Sequence, residues 1–261
     1  MRSFVTCPAA IALVGASLIA AFGSAARADP PAAEECEVPP SLIEADVDLS
    51  HVLAQVKDKH RLDISVIGTG SSSISGPDGA HYAYPAQLGD ILKQQLPGIE
   101  VRVTAHVQPR ATTATMVLGL ARILADDKPV LAIWQTGTTD AMNGVEPEDF
   151  RGSLNEGVAA MQAANAEVIL MNMQYSPRTE SMLDVSPYAD VMRWVAQQHG
   201  VLLFDRLAIM HYWNDVGTFD LYTATKKYDM ARRVHECIAR ALASQIISAA
   251  HLDAVRMQTT R

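Results

Sequence analysis

The sequence predicts an α/β fold built on a parallel sheet. Short apolar runs of strand length alternate with longer segments of helical periodicity along most of the chain. One of these runs, Val130-Leu131-Ala132-Ile133-Trp134, is apolar without a break, as in a strand buried on both faces. Gly and Pro punctuate the junctions, as in Pro97-Gly98 after one apolar stripe and Gly200 after another.

Residues 41–60 read as a helix. Ile64 to Gly68 is the first strand, and the loop from Thr69 to Gly79 comes directly after it. Tyr84 to Leu96 is helical, with Leu88, Ile91, Leu92 and Leu96 on one face. Val101 to Ala105 is the second strand, 112–126 a helix, and Val130 to Trp134 the third strand. Helices over 148–165 and 186–199 flank a fourth strand, Val168 to Asn172, and a fifth, Val201 to Phe204. A long helix over 225–248 closes the chain. Met161, Met171, Met173 and Met182 fall on the faces expected to pack.

Charge and composition narrow the function classes. Of the 261 residues, 49% are hydrophobic and 19% charged, enough apolar side chains for one packed core. The net charge is -8 and no Lys/Arg-rich run occurs, so no nucleic-acid partner is expected. There is no metal-ligand spacing such as H-E-x-x-H, and neither a metal nor another cofactor is expected.

The N-terminus reads as a secretory signal over 1–28. Arg2 supplies the positive start, Ile11 to Phe22 the small-and-apolar stretch, and Ala26-Arg27-Ala28 the cleavage site. The stretch is short for a membrane span, so none is expected after cleavage, and the location is periplasmic or secreted. Without Arg2 and Arg27 the chain carries 19 basic and 29 acidic residues, a net charge of -10. Residues 29–60 form a lead-in and helix, 61–250 the main domain and 251–261 a tail. Cleavage leaves Cys36 and Cys237, which an oxidising compartment would join in a disulfide, the alternative being two buried thiols.

In open parallel sheets, sites form outside the carboxyl ends of the strands. Three polar loops meet that rule: Gly70-Ser71-Ser72-Ser73, Gly137-Thr138-Thr139-Asp140, and the stretch before the last helix. A Ser on a tight Gly turn there can expose its hydroxyl as a nucleophile, with nearby amides to hold an oxyanion.

Order and spacing of these loops resemble the SGNH/GDSL hydrolases. Ile67-Gly68-Thr69-Gly70-Ser71-Ser72-Ser73 is similar to the family's first block. Tyr84-Pro85-Ala86-Gln87-Leu88 with Leu96-Pro97-Gly98 resembles the segment after that block in many bacterial members, and Trp134 to Ala141 resembles the third block, W-Q-x-G-T-N-D-A. The resemblance covers about residues 60–245. It implies a flavodoxin-like three-layer α/β/α sandwich with a central parallel sheet, and puts Ser72 at the nucleophile position.

Several family residues are replaced. The second-block Gly is missing from Gln108-Pro109-Arg110-Ala111, and the third-block Asn is Thr139. The fifth block, normally D-x-x-H, aligns in one register with Lys226 and Asp229 and in another with Phe219 and Tyr222. Neither register supplies a His. The first register, which needs no gap, is preferred.

These residues support two readings. In one, the chain is an esterase or deacylase on acyl or acetyl esters. Ser72 attacks, Thr139 and the Ser72 amide bind the oxyanion, and Lys226 with Asp229, or His211, handles protons. In the other, Ser72, Arg110, Thr139, Asp140, Lys226 and Asp229 line an inactive pocket for a saccharide or other small polar ligand. Arg110 would then meet a carboxylate or phosphate. The expected partner is a small-molecule or saccharide ester; the oligomeric state is not legible. His235 reads as a helix-surface residue, and His211, beside aromatics, as core packing unless it is the base.

Overall fold

The structure, a computed structural model, describes residues 36–222 and 229–253. The signal segment 1–28, Lys226 and the tail from residue 254 lie outside the described residues.

A turn of 3₁₀ helix at Pro40–Leu42 leads to helix α1, Ser50–Lys59. The expected helix over 41–60 is therefore cut to its second half. Leu49 ends the lead-in by burying its side chain and donating its amide to the Ala249 carbonyl at 2.8 Å, so this stretch packs as extended chain.

Strand β1, Arg61–Gly68, is followed by a 3₁₀ turn at Gly70–Ser72, a short helix α2, Gly79–Tyr82, and helix α3, Tyr84–Gln95. Strand β2 is Glu100–Val107, helix α4 Thr113–Asp127 and strand β3 Leu131–Gln135. Then come α5, Thr138–Met142, α6, Pro147–Ala163, and β4, Glu167–Met171. A short α7, Pro177–Glu180, precedes α8, Ser186–His199, and β5, Leu202–Phe204. Helix α9, Arg206–Asp215, and helix α10, Asp229–Ala249, complete the described chain.

The five described strands are parallel, in the order β2-β1-β3-β4-β5. This is the flavodoxin-like order, and its switch point lies between β1 and β3. β1 and β2 pair over eight residues each, from Arg61 opposite Glu100 to Gly68 opposite Val107. Both strands thus run beyond their apolar cores, because the ladder bonds are made by backbone and tolerate the polar Arg61, Asp63, Arg102 and His106.

Alternation divides the core in two. Leu62, Ile64, Val66, Leu131, Ile133, Ile169 and Met171 face one side, with side chains from α1, α3, α9 and α10. Ile67, Ala132, Trp134, Val168 and Leu170 face the other, against α4, α6 and α8. The result is the three-layer α/β/α sandwich the sequence resemblance implied.

Helix α9 occupies what the sequence suggested was a loop. Asp205 caps it by accepting the Ala208 amide at 3.0 Å, and Arg206, Ile209, Met210 and Trp213 form a buried stripe at helical spacing. Met161, Met171 and Met173 are fully buried, but Met182 is 71% exposed, just beyond α7. Cys36 and Cys237 form a disulfide that ties the lead-in to α10. Among the described residues no helix is long and apolar enough to cross a membrane.

Candidate functional site at the carboxyl edge of β1 and β3

The loop after β1 places Ser72 beside the switch point, but its side chain turns inward. Ser72 is only 1% exposed. Its Oγ donates to Gln135 Oε1 at 3.0 Å and lies 2.9 Å from the Tyr84 hydroxyl. A serine has one proton. With that proton on a carboxamide oxygen, the phenol must donate to Ser72. Gln135 Oε1 also accepts from the amide and the hydroxyl of Thr69, both at 3.0 Å.

Gly68 makes this inward turn possible. A Cβ on residue 68 would stand 2.1 Å from Ser72 Oγ and 2.8 Å from its Cβ. Gly68→Ala is expected to cost about 1–3 kcal/mol of stability, as overpacking does. Ser72→Gly in the same chain should recover most of it. Denaturant titration of the two single variants and the double variant checks this, and additive effects would refute it.

The turn also consumes the expected oxyanion donor. The Ser72 amide donates to the Thr69 carbonyl at 2.9 Å, closing the 3₁₀ turn. It is therefore not aimed at a substrate oxygen.

His235 is not a surface residue of α10 as its sequence position suggested. It is 6% exposed, and its Nδ1 accepts the backbone amide of Tyr84 at 3.0 Å. The neutral ring then carries its proton on Nε2 and has no free lone pair for a serine. Burial, helped by the Arg206 cation, pushes its pKa down to about 3. Tyr84, wholly buried, is pushed the other way by desolvation, which outweighs the lowering from Ser72 and Arg206, so it stays a phenol.

Arg206 completes the cluster. It lies under the Ser71–Ser72 turn, 5.7 Å from the Tyr84 ring centre, and is 1% exposed.

Residues 35–252 match the Non-GDSL lipase-like family. The chain belongs to that family. No curated protein sequence matches it. Among solved structures it is similar to TesA (19% identity, TM-score 0.56, covering 74% of this chain and 99% of that one). It is also similar to LAE5, an α/β hydrolase enzyme from the metagenome of Lake Arreo, Spain (21% identity, TM-score 0.59, 71% and 95%). A third is Axe2, an acetylxylan esterase from Geobacillus stearothermophilus (16% identity, TM-score 0.55, 70% and 94%). At these identities the likeness is one of fold, and with the family match it bears out the resemblance to SGNH/GDSL hydrolases.

In this lipase-like chain the other candidate residues are dispersed. Asp140 is buried and fully committed. Its carboxylate accepts from the Thr113 amide at 3.0 and 3.2 Å and from the Thr113 hydroxyl at 2.9 Å, pinning the start of α4. Desolvation, stronger than these bonds, raises its pKa. Thr139 sits in α5, 9% exposed, after the turn that Gly137 makes at a φ of 98°. Arg110 is exposed in the turn before α4, with a left-handed φ of 62°.

His211 makes no hydrogen bond to Ser72, and one face of its ring packs on the buried Tyr175 ring, with centres 4.5 Å apart. The His211 side chain is 44% exposed on α9, with Nδ1 3.0 Å from Asp215 and Nε2 3.9 Å from Glu180. It borders a groove of about 910 Å³ that also includes Leu42, Met182 and Tyr212. Ser72 bonds instead to Gln135 and Tyr84, because α9 turns the His211 side chain outward while Arg206, on the same helix, points in. Asp229 is exposed at the first described residue of α10, and Lys226 lies outside the described residues. Among the described residues no group of three His, Cys, Asp or Glu is placed to hold a metal.

Sequence reasoning missed Gln135, Tyr84, Arg206 and His235 as members of the cluster. Gln135 and Tyr84 stand inside the family-like motifs. Arg206 comes just after the carboxyl end of β5. His235 shares the buried stripe of Ile238 and Leu242, a signal that is available in its spacing.

Proposed function

We propose that this chain is an exported SGNH-fold protein whose crevice binds a small polar ligand of the saccharide or acyl-saccharide class, and that Ser72 is not a nucleophile in the arrangement described. One observation carries this reading: the Ser72 proton is donated to Gln135 Oε1, and no described imidazole or carboxylate hydrogen-bonds to Ser72. A carboxamide oxygen is no base, and losing the base of such a triad costs several orders of magnitude in rate. The saccharide class is supported by an acetylxylan esterase among the fold neighbours. Export is supported by the signal-like N-terminus and by the disulfide, which belongs to an oxidising compartment; the protein would then be periplasmic or secreted.

The test is covalent labelling. Incubation with a fluorophosphonate, followed by intact-mass measurement, is expected to leave the folded protein unmodified, and p-nitrophenyl acetate turnover is expected to stay at the blank rate. An adduct on Ser72 with hydrolysis lost in Ser72→Ala overturns the proposal in favour of the esterase or deacylase reading. That second reading is supported by the position of Ser72 at the end of β1 and by the hydrolase neighbours. It requires the Ser72 side chain to rotate off Gln135.

A further inference from the structure

Arg206 is a buried cation whose hydrogen-bond partners among the described residues are all neutral. Nη1 donates to the Ser71 carbonyl at 3.2 Å and lies 3.5 Å from its hydroxyl. Nη2 donates to Gln174 Oε1 at a long 3.3 Å, and Nε has no partner among the described residues. Among the described residues no carboxylate forms an ion pair with it; the titratable groups that interact with its charge are the phenol of Tyr84 and the neutral imidazole of His235. Even Asp205, adjacent in sequence, turns to Arg193, Asn172 and the Ala208 amide.

Buried arginines are ordinarily paired, because an uncompensated charge in a low-dielectric interior is costly. The missing group can be described from what the guanidinium leaves open. Nε and Nη2 form the side-on fork that takes two oxygens of one anion. Here one donor of the fork is free and the other is weakly held by a neutral amide. Both Ser71 and Gln174 are partly exposed, so the cation lies one layer beneath the protein surface. Gln135 Nε2 is a second buried donor without an acceptor among the described residues.

We propose that Arg206 is the anchor for an oxyanion on the ligand, a carboxylate or a phosphate group, which displaces the Gln174 carboxamide and binds the Nε/Nη2 edge side-on. The proposal deepens the binding reading above and rests on it for the crevice. Gln174 acts as an internal stand-in for the ligand. It holds the fork at a neutral contact until a charged acceptor replaces it.

Thermal-shift and calorimetric titrations of the mature chain test this, with sodium acetate, sodium phosphate and sodium chloride at matched ionic strength, and with galacturonate against galactose. Acetate or phosphate is expected to stabilise the protein above chloride, and the anion that does so identifies the group. Galacturonate is expected to bind at least tenfold more tightly than galactose, and Arg206→Gln to abolish that preference.

Because Arg206→Gln can fail to fold, Gln174→Ala is the second arm. Removing the internal competitor should tighten anion binding about threefold, an effect that a merely structural Arg206 would not produce. Anions indistinguishable from chloride, or a Gln174→Ala variant that binds no more tightly, overturn the proposal. Galactose bound as tightly as galacturonate would sink it while leaving the binding reading intact. Ser72-dependent hydrolysis would sink the binding reading, and the anion titration would then decide Arg206 in Ser72→Ala.

Discussion

Replacing both Cys36 and Cys237 by alanine is expected to lower the unfolding free energy by about 4–5 kcal/mol, read from guanidinium titrations followed by tryptophan fluorescence. The bridge spans 201 residues, so in the unfolded chain it closes nearly the whole described length. Loop-closure entropy grows with the logarithm of that length, which places this bridge near the upper end of the range for disulfides. The native state adds a local consequence. Cys36, Val38 and Leu42 pack against the cluster that includes α10, and Trp213 Nε1 donates to the Glu37 carbonyl at 3.0 Å. Untethered, this lead-in should fray first, so hydrogen exchange at residues 36–49 should quicken before the sheet opens. A loss below about 1 kcal/mol would show that the bridge constrains neither state.

Acid should destabilise the protein through His235. Its folded pKa, about 3, lies below the ordinary histidine value of 6.5, so the unfolded chain binds the proton that the folded ring refuses. The stabilisation is therefore complete above about pH 6.5 and is lost as pH falls toward 3. In that window the slope is about 1.4 kcal/mol per pH unit from this one residue. His235→Gln removes the titrating group and should flatten the slope relative to wild type in urea titrations at pH 7, 5.5 and 4.5. Parallel curves for the two proteins would show that His235 is protonated in the fold. The comparison with the variant is needed because other groups titrate too. Burial raises the pKa of Asp140, which pushes the pH dependence the other way, whereas Asp127 is lowered by its bonds to Ser65 and His106 despite desolvation.

These two experiments probe the same helix, α10, through two neighbouring anchors. Cys237 fastens it to the lead-in, and His235, two residues earlier, fastens it to Tyr84. Both explain why the helix is more buried than its run of charged residues suggests.

How much can be read in advance differs from element to element. The β3 run from Leu131 to Trp134 is legible because a strand covered on both faces must be apolar on both. Helix α9 is not, because its inward stripe includes an arginine, and periodicity assigns a charged residue to the solvent side. The lead-in over 41–49 reads as helix because Leu42, Ile43 and Val47 carry an apolar pattern, whereas their partners lie on the tertiary core.

The flavodoxin-like arrangement was what the resemblance to SGNH/GDSL hydrolases implied, while the sequence by itself determined the α/β class with a parallel sheet, the position of Ser72 at the end of β1 and the identity of the cysteine pair. These depend on local periodicity, on Gly turns and on counting cysteines, all of which are properties of short stretches. Only the tertiary structure decided which way Ser72 faces. That choice was made by residues far apart in the chain: Gly68 leaves the space, Gln135 from β3 takes the proton, Tyr84 from α3 donates to the oxygen, and His235 from α10 and Arg206 from α9 close in around them. Hydrogen-bond direction and desolvation arise where those five segments meet, and no pattern within any one of them encodes it.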